Sequence, residues 1–299
     1  MTANTTVTFD SFSSSTVFRT LKKISRNLKG IIGGSILVII LLLALFAPFF
    51  SPHDPYEQNL EKRLIPPSWV EGGSKNHFLG TDQLGRDLLS RIIYGSRISV
   101  IVGLSAVFIA GFIGVTLGLL AGYYQGAFGA VIMRIVDIFL SIPYILFAIA
   151  VIAAIGSGLN KLILVLALTR WAHYARITNG KVLQIKTEEY IEGAHSRGNS
   201  SWRVMTRHIL PNAIPPILVL ASLELAFMII MEATLSFLGI GVSPPTATWG
   251  LMSSEGRDYL TIAWWITTFS GLAIVITVLG ANLFGDWLRD NLDPRLKGV

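Results

Sequence analysis

The chain has 299 residues, 52% of them hydrophobic and only 14% charged, with a mean hydropathy of +0.60. These values exclude an ordinary soluble domain and indicate a polytopic membrane protein. The absence of cysteine excludes structural disulfides, thiolate metal sites and cysteine nucleophiles, and the net charge of +6 is assigned to cytoplasmic membrane loops rather than to nucleic acid.

Six apolar runs follow in chain order, continuous rather than alternating, which predicts an all-α integral membrane protein and not a β-barrel. A tail, 1–30, precedes the first span, 31–50, which is long enough to cross a bilayer and is therefore expected to be an anchor, not a cleaved signal. Residues 51–97 form a loop whose first part, with Pro52, Pro55, Pro66 and Pro67, is expected to be extended. Its second part suits a helix capped by Thr81 or Asp82. The pairs Asp82/Arg86 and Asp87/Arg91 have i,i+4 spacing, and Leu84, Leu88, Leu89, Ile92 and Ile93 supply an apolar face. Such a helix would lie on the outer membrane surface, as an interfacial brace or as a contact for a gate or binding protein.

The remaining residues, 98–285, carry five further spans. The second, 98–121, has Ala106, Ala110, Gly114, Gly118 and Gly122 at four-residue spacing, a stripe for close helix packing within this subunit or against a partner. In the third, 130–156, Arg134 and Asp137 have the spacing of an ion pair, and Pro143 predicts a kink. The fourth, 159–172, has a clean apolar part that is short before Arg170, so it leans on continuity with residues 171–178 and on snorkelling of Arg170. The fifth, 213–239, contains Glu224 and Glu232, each costing about 2.5–3.5 kcal/mol near a bilayer centre and about 80° apart around a helix. They either line a path or hold its gate, or they bond to neighbouring spans. The sixth, 262–285, leads to a tail, 286–299.

Six spans place both termini on one side, which carries sixteen of the 24 Lys and Arg residues, among them Arg134, Arg289, Arg295 and Lys297. Both termini and residues 188–212 are thus expected in the cytoplasm. Within 188–212, Glu188, Glu189 and Glu192 suit a helix start, Gly198 a helix end, and residues 202–210 a second helix before Pro211. The two would make a compact knob. A basic loop attracted to anionic headgroups is the simpler alternative.

The segment resembles the EAA loop of ABC-importer permeases: Glu192-Gly193-Ala194, then Gly198, then Leu210-Pro211, with Gly193 in place of the first Ala and His208 in place of an Ile. Residues 77–97, HFLGTDQLGRDLLSRIIYGSR, resemble the signature of the C-type permease of dipeptide, oligopeptide and nickel importers. DIFLSIP at 137–143, LSFLGIG at 235–241 and GDWLRDNLDPRL at 285–296 agree with it.

The resemblance implies a type I ABC importer permease fold with six transmembrane helices in a bacterial inner membrane. It implies a second permease, two ATPase subunits and an extracytoplasmic solute-binding protein as partners. Glu192, Ala194, Gly198, Trp202 and Arg203 would dock to an ATPase, with Leu210 and Pro211 setting the exit angle. A peptide is the implied substrate, with nickel complexes, glutathione, opines and oligosaccharides as alternatives; a stand-alone channel or secondary transporter is a remoter one. The chain lacks GxxxxGK[ST], LSGGQ, HExxH and GxSxG patterns, so no cofactor is expected on it and ATP and Mg are expected on the ATPase subunits.

Overall fold

The protein is described here by a computed structural model covering residues 12–292; residues 1–11 of the N-terminal tail, and Arg295 and Lys297 of the C-terminal one, lie outside the described residues. Within them the fold is helical, with one isolated bridge between Thr81 and Asp87.

The helices are α1 (Phe12–Leu45), α2 (Ala47–Phe50), α3 (Leu88–Tyr124), α4 (Gly126–Ser141), α5 (Tyr144–Ile155), α6 (Leu159–Lys186), α7 (Glu189–Ser196), α8 (Ser201–Val204), α9 (Leu210–Phe237), α10 (Trp249–Arg257) and α11 (Trp264–Leu292). The end carrying residues 51–97 is termed outer and the end carrying 188–212 inner. Among the described residues, four segments are apolar and long enough to cross a membrane: 28–45, 88–124, 201–237 and 264–292. The bent pair α4 and α5 makes a fifth if counted as one span.

Sequence chemistry explains most boundaries, and in four places it changes or extends the expectation. First, the outer helix does not start at Thr81 or Asp82. Asp87 is the cap, its carboxylate accepting the Ser90 N–H at 2.8 Å, and α3 then runs 37 residues, about 56 Å, without a break. Residues 81–87 form a turn packed inside the protein, so no separate interfacial helix exists. Second, Pro143 produces a break rather than a kink. It holds Ile142 extended, and α4 and α5 meet at 92°. Third, α6 is a single helix of 28 residues, which carries the expected continuity through residue 178 on to Lys186. Fourth, no helix ends at Pro211. A π-turn, Met205–Ile209, joins α8 to α9, and Asn212 Nδ2 donates to the His208 carbonyl at 2.7 Å as the chain passes the proline.

Small residues set the packing. A Cβ on Gly114 would stand 2.3 Å from the Trp171 carbonyl, one on Gly118 2.5 Å from that of Ala175, and one on Gly122 2.8 Å from Val182. The stripe on α3 is therefore filled by α6 of the same chain, running parallel to it. On the other side α1 and α11 run antiparallel, with Gly33 against the Phe284 backbone and Gly280 against Ile36. The central core gathers Val102, Ala106, Val136, Leu166, Met228 and Leu235 from α3, α4, α6 and α9. Phe108 and Phe112 remain largely exposed on the outside of α3.

Candidate functional site

The inner knob is built from a short polar sequence. Glu189 and Glu192 occupy the first turn of α7 and His195 its last, the order that the helix dipole favours. The helix ends in a Schellman arrangement: the Gly198 N–H donates to the His195 carbonyl at 2.9 Å and the Asn199 N–H to that of Ala194 at 3.3 Å. Gly198 has φ +75°, and a Cβ there would meet nothing within 4 Å, so backbone conformation rather than space requires glycine. Ser200 then caps α8 by accepting the Arg203 N–H.

Ile191, Ala194, Val204, Met205 and Ile209 bury together against Leu119 and Tyr123 at the end of α3 and Val182 and Ile185 at the end of α6. Lys186 Nζ adds a bond to the Tyr123 carbonyl at 2.7 Å. The knob is thus continuous with the inner ends of α3, α6 and α9. This separates the expected docking residues. Glu192, Gly198, Trp202, Arg203 and Pro211 are exposed, Trp202 by 68%, and Leu210 is half-buried. Ala194 is fully buried, so it supports the knob from within and has no surface to dock.

Between the two ends, Glu224 and Glu232 face different neighbours. Glu224 accepts two bonds from Arg170, Nε and Nη2 each at 2.6 Å, and the guanidinium lies 4.0 Å from the Phe227 ring centre. Arg170 also donates through Nη1 to His173 Nε2 at 3.1 Å. The expected snorkelling of Arg170 does not occur, because a carboxylate within reach satisfies the charge in place. Glu232 is fully buried and accepts from Ser99 on α3 at 3.2 Å and from Ser236 at 2.9 Å. Both acids therefore bond to protein, and neither lies open to a channel within this chain. On α4, Asp137 pairs with Arg176 of α6 rather than with Arg134, which is exposed.

The outer end carries the densest charge network. Asp82 accepts from the Leu84 N–H at 2.8 Å, from the Arg86 N–H at 3.0 Å, from Arg86 Nε at 2.7 Å and from Arg91 Nη1. Glu255 on α10 accepts from Arg86 Nη2 at 3.0 Å and from Arg91 Nη1 at 2.9 Å. Two cations and two anions balance, with Asp82, Arg86 and Arg91 buried. The Asp82/Arg86 pair forms without a helix. The expected Asp87/Arg91 pair does not, since Asp87 is spent on capping and on His77. Trp265 Nε1 to the Thr81 carbonyl at 3.0 Å and Trp249 Nε1 to that of Ile92 at 2.9 Å tie the turn to α11 and α10 to α3. Glu255 carries no local signal in the sequence, its partners lying more than 160 residues away.

The sequence profile of the family described as binding-protein-dependent transport system inner membrane component matches residues 114–298, which include the knob, and that of the N-terminal TM domain of oligopeptide transport permease C matches residues 17–67. The chain belongs to this transport family. The permease is 44% identical over 272 residues to the di/tripeptide transport system permease protein of Pseudomonas aeruginosa, covering 91% of this chain and 90% of that relative. It is 43% identical to a probable D,D-dipeptide transport system permease protein of Escherichia coli, covering 88% and 86%. It is also 41% identical to the glutathione transport system permease protein of Pectobacterium atrosepticum, covering 92% and 90%. Among solved structures, an inward-facing form of the MetNI methionine ABC transporter aligns with a TM-score of 0.56 at 20% identity, over 69% of this chain and 98% of that one, which places the permease in the ABC importer fold. It is a multi-pass inner membrane protein of a transport permease family.

Proposed function

We propose that the permease is the membrane subunit of an ATP-driven importer of di- or oligopeptides. It would form the path with a second permease, receive substrate from an extracytoplasmic binding protein and dock to two ATPase subunits. ATP and Mg would be bound on those subunits and no cofactor on this chain. The reading takes six spans, α6 counted among them with Arg170 neutralised by Glu224, and puts both termini and the knob in the cytoplasm.

One observation carries it: exposed Glu192, Trp202 and Arg203 stand on a buried cluster continuous with α3, α6 and α9. A free basic loop held by headgroups has no need of such a base. Force on the exposed face would pass into three spans at once. Glu224 and Glu232 then serve as ties that hold the gate, α6 to α9 and α3 to α9, rather than as lining of the path. The names of relatives support a peptide cargo, and the 41% identical glutathione permease extends this to peptide-like thiols.

The test is uptake of labelled dipeptides by cells carrying the complete transport system, with Gly198→Val in this chain. Uptake should fall at least tenfold with the permease still in the membrane. Undiminished uptake, with ATPase subunits still copurifying, would remove the docking assignment.

A further inference from the structure

The outer end also holds a cluster of titratable side chains that lies apart from the knob and from the Asp82–Glu255 network. After α2 the chain turns so that Ser51 Oγ donates to the His53 carbonyl at 2.6 Å and the His53 N–H donates to Ser90 Oγ at 3.1 Å. His77 arrives from further along the same segment and is buried. Both imidazoles converge on one carboxylate oxygen. Asp87 Oδ2 is committed to Ser90, accepting its N–H at 2.8 Å and its Oγ–H at 2.6 Å. Asp87 Oδ1 faces His77 Nδ1 at 3.0 Å and His53 Nδ1 at 3.7 Å. The rings lie 4.8 Å apart, and one ligand atom from each of the three residues lies within 4.8 Å of the others. His53 Nδ1 is too far from the carboxylate to bond, yet it is buried with no hydrogen-bond partner among the described residues.

We propose that His53, His77 and Asp87 form a binding site for a divalent first-row transition metal of the zinc class. Two imidazoles and a carboxylate are the ligand set that such ions prefer over calcium or magnesium. Bonds of about 2.0–2.2 Å at tetrahedral angles separate ligand atoms by about 3.3–3.6 Å. The distances of 3.0 and 3.7 Å to Asp87 Oδ1 bracket that range, and with all three ligand atoms within 4.8 Å of one another, rotation of the partly exposed His53 ring toward His77 would seat the ion.

The ion would give His53 Nδ1 its partner and replace the His77–Asp87 hydrogen bond. Asp87 is already oriented by the first turn of α3, as the outer support of a metal ligand should be. A cavity of about 410 Å³, lined by Ser51, His53, Asp54, Tyr56 and Tyr94, opens beside His53 and gives an ion a route from solvent to that ligand. Bound metal would staple the turn at residue 53 and the loop at residue 77 to the start of α3, whatever the importer's cargo.

The experiment uses the full chain in detergent, purified through a tag without histidine, stripped with a chelator and titrated with Zn²⁺ and Co²⁺. Expected are one ion per chain, the visible absorption of four-coordinate cobalt, and a Tm raised by Zn²⁺. His53→Ala should weaken binding by more than about 100-fold, since even supporting residues around a metal are worth 10–100-fold, and should abolish the Tm response. His53 is partly exposed, so this variant should keep the metal-free Tm of the parent. Asp87→Asn, which retains an acceptor for the α3 cap, should lose the metal as well. Absence of a stoichiometric ion, or equal binding by the parent and His53→Ala, would overturn the site.

Discussion

The inner knob and the outer cap hold the same long helices by opposite means. The knob buries isoleucine, valine and methionine beneath an exposed polar face, and its charges stay in water. The cap buries charges themselves, Asp82, Arg86 and Arg91 against Glu255. Apolar contact is non-directional and survives small sliding of one surface over another. A buried ionic network has fixed geometry and loses heavily if one member leaves. The inner end is therefore built to tolerate small displacements, and the outer end to keep one fixed arrangement.

The largest effect is expected at the cap. Arg91→Ala leaves Arg86 as the one cation for both Asp82 and Glu255 and should destabilise the permease by about 3–5 kcal/mol, measured by thermal unfolding in detergent. A Tm close to the parent's would break the contrast between the two ends. At the inner end, Ile209→Ala should cost about 2–4 kcal/mol, with proteolysis confined to the knob while the cap stays protected. Gly198→Val should cost about 1–3 kcal/mol, because a β-branched residue is forced to positive φ, and its main readout is lost coupling rather than lost fold.

Trp202→Ala sharpens the comparison differently. The ring is exposed, so stability should change by less than about 0.5 kcal/mol, while ATPase copurification drops. The smallest effect is expected for Asp137→Asn. Its partner Arg176 is about half exposed, and such a pair is worth about 0.2–1 kcal/mol, detectable only in a double-mutant cycle.

The knob was legible in sequence because its determinants are local. Glutamates at a helix start and a glycine at φ +75° act within one or two turns, so spacing alone located α7 and its end. The stripe on α3 was legible in its small residues, and the structure supplied which helix fills it. The cap was not, because its partners lie far apart in the chain. Asp82 and Arg86 have i,i+4 spacing without a helix, and Asp87 caps where it seemed to pair. Arg170 shows the same limit: as an isolated cation in an apolar run it suggests snorkelling, and only the approach of α9 reveals Glu224. Pro211 misleads by the reverse route, since a π-turn absorbs what the residue alone would interrupt.

The unbroken length of α3 has a further mechanical consequence. One rod begins with Arg91 inside the ionic network and finishes with Tyr123 inside the apolar cluster. Unlike α4 and α5, it has no joint at which rotation of one end could be absorbed before reaching the other. A tilt of α3 at the knob end would be felt at Arg91, and a cap that holds Arg91 in place would resist it. In the proposed importer such a shaft would act like the single beam of a canal lock, in which the two doors are never free at the same moment.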